Sequence, residues 1–207
     1  GYEGFTDMQD VFRAHARKRW PGYPERLERV RSKEEGHRDP MHLLKSFAQT
    51  SVESLEQVSD SVNPASLSQA VQILADAQII YLLATRRSFP VTSYLGYALR
   101  RMKIRCELVD QIAGLAPEQI SQLSAQDALL VVSFAPYAQA TQQLAEAAHR
   151  AEIPIVAITD SPLSPLVLIS SCWLEVAEAD FGGFRSLAGT FALAMTLAVA
   201  VAGCREE

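Results

Sequence analysis

Cysteines and catalytic motifs are scarce in this 207-residue sequence. Its three cysteines, Cys106, Cys172 and Cys204, lie far apart and form no Cys-x-x-Cys pair. This spacing predicts neither a metal site nor a disulfide framework, and it is typical of a protein in the reducing cytoplasm. The four histidines are scattered, and the chain has no Gly-x-Ser-x-Gly turn, Walker loop or His/Cys cluster. The sequence therefore carries no recognisable catalytic motif, and neither a metal nor a cofactor is expected.

Positive charge is sparse in the larger part of the chain. The formal net charge is −5, and it is unevenly distributed. Residues 1–40 hold nine Lys/Arg and eight Asp/Glu, a net of +1, whereas residues 41–207 hold ten and sixteen, a net of −6. Duplex nucleic acid is therefore not the expected ligand of residues 41–207.

Long uncharged runs are limited to one segment. Residues 186–204 contain no charged residue and approach the length of a membrane span. The segment is rich in alanine and includes Gly189, Thr190 and Thr196, which favours a buried or interface helix over a membrane helix. The chain also begins without the basic start and apolar core of a signal peptide. We therefore expect a cytoplasmic protein with no membrane partner.

Strand and helix patterns alternate from residue 78 onward. Short apolar runs rich in Val and Ile predict strands at 78–83, 104–109, 127–133, 154–159 and 172–176. Helical patterns predict helices at 7–20, 41–59, 64–75, 90–102, 116–122, 137–151, 164–170 and 183–203. This alternation predicts an α/β fold, a three-layer α/β/α sandwich around a five-stranded parallel sheet. Right-handed crossovers then place all the carboxyl ends of the strands at one edge.

Polar residues are concentrated in three loops that follow strands. These are loop one (84–89), loop two (133–137) and loop three (159–165). Loop one carries Arg86, Arg87 and Ser88 where a strand runs into a helix. Free backbone N–H groups and the helix macrodipole favour an anion at such a turn, and arginine adds bidentate geometry. Loop one therefore predicts a site for a phosphate or a carboxylate.

The other two loops add hydroxyl groups and one carboxylate. Ser133 and Tyr137 lie in loop two, whereas Asp160 and Ser161 lie in loop three. Asp160 and Ser161 are also explained as turn and cap residues, because both types are favoured there. Ligands of open α/β sheets bind at the carboxyl edge, so we expect the three loops to converge on one crevice. The candidate ligand-binding residues are Arg86, Arg87, Ser88, Ser133, Tyr137, Asp160 and Ser161.

A short charged segment precedes the last predicted helix. Residues 180–185 are expected to begin that helix. Two partners stay open for Arg185, namely an ion pair with Asp180 or a contact with the ligand.

The order and spacing of these loops resemble the SIS (sugar isomerase) domain of RpiR-type bacterial transcription regulators. The family's first loop usually reads Gly-x-Gly-x-Ser, and Ala84-Thr85-Arg86-Arg87-Ser88 retains its serine. Ser133 and Thr141 match a serine and a threonine of the second loop, and residues 158–166 follow the third segment closely. The resemblance covers about residues 41–205 but is poor in the glycines.

The resemblance implies a sensor rather than an enzyme. Gly1-Tyr2-Glu3-Gly4-Phe5 resembles the tail of the family's helix-turn-helix domain. Residues 1–38 would then be a remnant of that domain with a helical linker, and residues 39–207 an SIS domain that binds an effector and dimerises. The implied ligand is a phosphosugar or related anionic carbohydrate metabolite. The implied partners are a second copy, in a homodimer or tetramer, and DNA through the missing N-terminal domain.

Two other functions stay open beside the sensor, namely an aldose–ketose sugar-phosphate isomerase and a dimerisation module with a degenerate site.

The glycines that are missing from the loops affect the ligand site in each of these three functions. Glycine lets the backbone approach a phosphate and adopt a positive φ, which Arg, Ala and Pro are not expected to do. Pro136 also lacks an N–H group. We therefore expect a side-chain clamp by Arg86 or Arg87, or a different ligand such as an acidic sugar, in place of a backbone cradle.

Overall fold

The computed structural model describes residues 21–33 and 39–206. The helix predicted at 7–20 and most of the proposed helix-turn-helix remnant lie outside the described residues. Three helices precede the sheet in the described residues, namely α1 (Tyr23–Lys33), α2 (Pro40–Ser61) and α3 (Pro64–Asp76). Asp39 and Asn63 accept hydrogen bonds from the first backbone N–H groups of α2 and α3, and each helix begins with proline. These are the residues that favour a helix start.

Strands and helices then alternate as the apolar pattern predicts. The elements are β1 (Ile80–Ala84), α4 (Phe89–Arg101), β2 (Cys106–Val109), α5 (Ala116–Ser121), β3 (Ala128–Val132), α6 (Gln139–Arg150), β4 (Ile155–Thr159), β5 (Cys172–Glu175), β6 (Asp180–Phe181), β7 (Phe184–Arg185) and α7 (Ala188–Glu206). Short 3-10 turns occur at Arg86–Ser88, Ile112–Gly114 and Val167–Ile169.

The five longer strands form one parallel sheet in the order β2-β1-β3-β4-β5. Leu83 of β1 pairs with Val109 of β2 on one side and with Val131 of β3 on the other. All residues of β1, β3 and β4 are buried, which explains their continuous apolar sequences. The chain order reverses at β1, so the crevice beyond the carboxyl ends of β1 and β3 is the expected ligand position.

Helices cover both faces of the sheet. Leu82, Leu130 and Ile158 point to the face covered by α3, α4 and α7, whereas Leu83 and Val131 point to the face covered by α5 and α6. The alternation follows from the two-residue period of a strand. The predicted three-layer sandwich around a five-stranded parallel sheet is confirmed.

The uncharged C-terminal segment is part of the core. Ala188–Arg205 has the length and composition of a membrane span, but Leu193 and Leu197 are buried between α7 and the sheet. A Cβ atom on Gly189 would lie 2.8 Å from the Ser54 carbonyl oxygen, so the backbones of α7 and α2 approach closely. One face of the helix is thus buried and another is exposed, which agrees with the predicted buried or interface helix.

Two helix predictions near the carboxyl edge are wrong. Residues 164–170 form only the 3-10 turn Val167–Ile169, after a tight turn in which Ser164 N donates to Ser161 O at 3.0 Å. Residues 180–185 form an antiparallel hairpin instead of the start of the last helix. Gly182 and Gly183 have φ values of 61° and 90°, which supply the hairpin turn. The last helix therefore begins later, at Ala188.

Candidate functional site

Loops one, two and three converge at the carboxyl edge of the sheet. Thr85 Oγ1 and Thr141 Oγ1 lie 2.9 Å apart and join loop one to α6. The guanidinium carbon of Arg87 lies 5.1 Å from the ring centroid of Phe134, which joins loop one to loop two. Asp160 joins loop two to loop three through bonds described below. The predicted convergence of the three loops is confirmed.

Asp160 is the centre of the contacts between loops two and three. Its Oδ1 accepts a hydrogen bond from the Tyr137 hydroxyl at 2.9 Å, and its Oδ2 accepts from Ala135 N at 3.0 Å. Arg185 Nη1 also donates to Oδ2 at 3.4 Å. The side chain of Asp160 is 15% exposed, and that of Arg185 is 6% exposed. Asp160 is therefore one half of an enclosed ion pair and not only a turn residue.

Arg185 enters this site from the hairpin. Besides Asp160, it donates through Nη2 to the carbonyl oxygen of Ala135. Burial, and then the charge of the nearby Arg87, lower the pKa of Arg185 to about 10, and the charge of Asp160 opposes this shift. The side chain is still a cation at neutral pH. Asp160 is thus the ion-pair partner of Arg185, while Asp180 Oδ1 accepts from Gly183 N at 2.7 Å within the hairpin turn.

Arg87 is the second enclosed cation of the site. Its Nη1 donates to the carbonyl oxygen of Ser186 at 3.2 Å. Its Nε and Nη2 are buried and have no hydrogen-bond partner within the described part of the chain. Burial lowers the pKa of Arg87, and the charges of Glu178 and Asp160 oppose this effect. Buried donors without acceptors are costly, so these two nitrogens mark a position for an acceptor.

Glu178 provides a buried acceptor, which complements the buried donors of Arg87. Its Oε1 accepts from Thr190 N at 2.7 Å and from Thr190 Oγ1 at 2.5 Å at the start of α7. Its Oε2 is buried, and no donor among residues 21–33 and 39–206 reaches it. Sequence reasoning left Glu178 and Arg185 out of the candidate set. Both residues follow β5, whose carboxyl end lies at the same edge of the sheet as the three loops. Their position after a strand was the sequence signal that could have identified them.

Loop one has a backbone conformation that its sequence does not predict. Arg86 has a φ of 53°, in the left-handed region, although arginine was not expected to adopt it. Ser88 N donates to Thr85 O at 3.2 Å and closes the turn that follows. The Arg86 side chain is exposed, so the enclosed cation of loop one is Arg87. The expectation about the backbone of loop one is therefore wrong, because this tight turn imposes the conformation.

The remaining predicted residues differ in their surroundings. Ser88 and Ser133 are buried at the ends of loop one and β3, and the Ser88 hydroxyl does not cap α4. Burial, and then the charge of Asp160, raise the pKa of Tyr137, so its hydroxyl remains a donor. Ser161 Oγ accepts from Leu163 N at 3.1 Å, as a turn residue does. A ligand contact by these side chains stays a prediction.

Metal ligands are not grouped in the described ranges. No three His, Cys, Asp or Glu side chains cluster there as a metal site requires. The site is thus composed of guanidinium, carboxylate and hydroxyl groups, which suit a polar organic anion.

Known proteins share both the sequence signature and the fold. The family model of the SIS domain matches residues 73–202. The fold is similar to the sugar isomerase domain of an RpiR transcription factor from Sphaerobacter thermophilus, with a TM-score of 0.73, 23% identity, and coverage of 79% of this chain and 90% of that chain. The Vibrio vulnificus NanR protein complexed with ManNAc-6P has a TM-score of 0.71, 22% identity, and coverage of 97% and 69%.

An enzyme shares the fold as well. A phosphoheptose isomerase from Francisella tularensis has a TM-score of 0.65, 14% identity, and coverage of 79% of this chain and 98% of that chain. No curated protein sequence matches significantly. At these identities the structural likenesses establish the fold, and the choice between regulator and enzyme has to come from the site.

Proposed function

This chain belongs to the SIS domain family, and we propose that it is the ligand-sensing part of an RpiR-type transcription regulator. Residues 39–207 would bind an anionic carbohydrate metabolite, such as a phosphosugar, and pair with a second copy in a dimer or tetramer. Residues 1–38 would connect them to a DNA-contacting domain. Binding would shift the populations of two protomer arrangements and thereby change DNA affinity.

The observation that carries the proposal is the pair of unpartnered nitrogens on Arg87. Nε and Nη2 are enclosed at the carboxyl edge, where no acceptor of the described chain meets them. A phosphate or carboxylate oxygen would supply that acceptor in charge-assisted form. The unpartnered Oε2 of Glu178 would accept from a ligand hydroxyl. A carbohydrate that carries an acidic group presents both kinds of atom.

A sugar-phosphate isomerase is the second candidate. That reaction needs a general base and a ring-opening acid. The three loops hold no histidine, and Asp160 already accepts from three donors. Glu178 Oε2 favours the enzyme, because it is an enclosed carboxylate oxygen without a donor in the described residues. Its other oxygen is held by Thr190 at the start of α7, which suits a fixed binding group equally well.

A thermal-shift panel tests the proposal. The compounds are ManNAc-6P, uncharged ManNAc, several other sugar phosphates and several sugar acids. We expect stabilisation by a phosphorylated or acidic sugar and not by its neutral counterpart, with a gain of about 2.7 kcal/mol at a hundred times Kd. Arg87→Gln should abolish the shift, whereas Arg105→Gln, an exposed arginine at the opposite edge, should preserve it.

Three results would count against the sensor. One is the absence of any stabilising anion, which would favour the degenerate module. Another is an unchanged panel in Arg87→Gln, which would place the ligand elsewhere. The third is the appearance of isomerised sugar phosphate on prolonged incubation, lost in Glu178→Gln, which would favour the enzyme.

A further inference from the structure

The hairpin formed by β6 and β7 lies between the candidate ligand site and α1. Neighbouring side chains of a strand point to opposite sides. Phe184 and Arg185 are such neighbours in β7, and they contact different parts of the molecule. The hairpin therefore has one side on the ligand site and another on the helices that precede the sheet.

On the site side, the hairpin region is bonded to all three loops. Arg185 donates to Asp160 of loop three and to the Ala135 carbonyl of loop two. Arg87 of loop one donates to the carbonyl oxygen of Ser186, the residue that follows the hairpin. A ligand that takes over Arg185 must therefore compete with bonds that position the hairpin, whereas Arg87 can bind it through Nε and Nη2 while Nη1 stays on Ser186.

On the helix side, aromatic rings and the glycine turn pack closely. The ring of Phe184 lies 5.8 Å from that of Tyr23 in α1 and 6.3 Å from that of Phe47 in α2, measured between centroids. A Cβ atom on Gly182 would overlap the Val30 side chain of α1. The turn thus fits against α1 with no space for a methyl group.

We propose that this hairpin transmits occupancy of the ligand site to α1, an inference that rests on the proposed function for the ligand itself. An anion bound between Arg87 and Arg185 draws Arg185 away from Asp160. The hairpin has six residues, so a shift of Arg185 moves Phe184 and the glycine turn against α1. α1 belongs to the part of the chain assigned above to the linker, and its loosening is the signal.

Hydrogen exchange of the α1 amides tests the connection without a ligand. Asp160→Asn removes the charge that holds Arg185, and it should accelerate exchange in residues 23–33 by about fivefold, as expected for a coupled local opening. Leu144→Ala is the matched control, because it destabilises the fold from the opposite face of the sheet. It should accelerate the exchange of α1 much less than Asp160→Asn does.

A second variant covers the case in which Asp160→Asn does not fold. Arg185→Lys retains the cation but loses the two-armed contact with Asp160 and Ala135. It should accelerate α1 exchange in the same direction. Equal exchange of α1 in Arg185→Lys, Leu144→Ala and wild type would overturn the proposal.

ManNAc-6P is the probe for the ligand-dependent part. In the wild type it should accelerate α1 exchange. In Gly182→Ala, which alters the hairpin where it meets α1, thermal stabilisation by the probe should persist while its effect on α1 disappears. Binding that leaves wild-type α1 unchanged overturns the inference alone. Absence of binding counts against the proposed function, and the exchange of Asp160→Asn still decides the hairpin.

Discussion

Arginines at the two edges of the sheet have opposite surroundings. At the carboxyl edge, Arg87 and Arg185 are enclosed and bonded to carbonyl groups and Asp160. At the amino edge, Arg100, Lys103 and Arg105 line an open cavity of about 320 Å³, and all three are exposed. The open cavity at the amino edge is therefore not a place where charge is removed from water.

This difference separates a binding site from an ordinary charged surface. Removing a cation from water raises the free energy of the folded state unless partners compensate the charge. Two neighbouring enclosed cations therefore suggest a role other than stability. Exposed cations have a simpler explanation at the amino edge. Arg100 and Arg101 end α4, where positive charge complements the helix dipole. The enclosure of Arg87 and Arg185 is the reason for which we propose the ligand site at the carboxyl edge.

Asp160→Asn gives the largest expected effect. It leaves Arg185 enclosed without its counter-charge and weakens the bonds from Tyr137 and Ala135. We expect the free energy of unfolding to fall by about 3 kcal/mol, measured by chemical denaturation. Glu107→Gln is the control at the amino edge, and its change should stay below about 0.5 kcal/mol. Equal losses in the two variants would remove the distinction between the edges.

Arg87→Met tests whether Arg87, the second enclosed cation, contributes to ligand affinity more than to the free energy of unfolding. Methionine leaves no unpartnered donor, and this gain offsets the loss of the charge that faces Glu178, so the free energy of unfolding should change by less than about 1 kcal/mol. Affinity for the stabilising sugar anion should fall at least about tenfold, since a charge-assisted contact is lost. Arg105→Met should change neither quantity. A large loss of stability in Arg87→Met would show that Arg87 serves the fold.

Arg86→Gly compares two left-handed residues, one at each edge. Arg86 has a φ of 53° and Lys103, after α4, a φ of 59°. Glycine relieves the backbone strain but has a more disordered unfolded state, so each glycine variant should gain about 0.5 kcal/mol. Only Arg86→Gly should also change the affinity for a sugar phosphate, because a bare backbone lets the phosphate approach. An affinity change in Lys103→Gly would indicate a ligand site at the amino edge.

The fold was predictable because its signals are local. Apolar runs marked every strand of the main sheet, and parallel topology alone placed the three loops together. The hairpin was missed because its strands have two residues each and carry no alternating pattern. Gly182-Gly183 was its only local signal, and it lies within a segment read as helical.

The site was predictable only in part, because its partners come from tertiary contacts. The positions of Arg87, Tyr137 and Asp160 followed from the loops. Glu178 was missed because it follows β5, beyond the three predicted loops. For Arg185, an ion pair with Asp180 or a ligand contact was predicted, but not the ion pair with Asp160. No sequence pattern states that Arg185 bonds to Asp160, 25 residues away. Likewise, the left-handed backbone of Arg86 arises from the turn and opposes the preference of its side chain.

Tyr137→Phe should have the smallest effect, a change in the pH dependence of stability. The folded state raises the pKa of Tyr137 from 10.0, through burial first and Asp160 second. A group with a raised folded pKa stabilises the fold below its unfolded pKa and loses that contribution as pH rises towards the folded value. The difference in unfolding free energy between wild type and Tyr137→Phe should therefore be constant near neutral pH and about 0.4 kcal/mol smaller at pH 10. Denaturation across this range measures it, and a difference that stays constant through pH 10 would mean that Asp160 does not enclose the phenol as the structure places it.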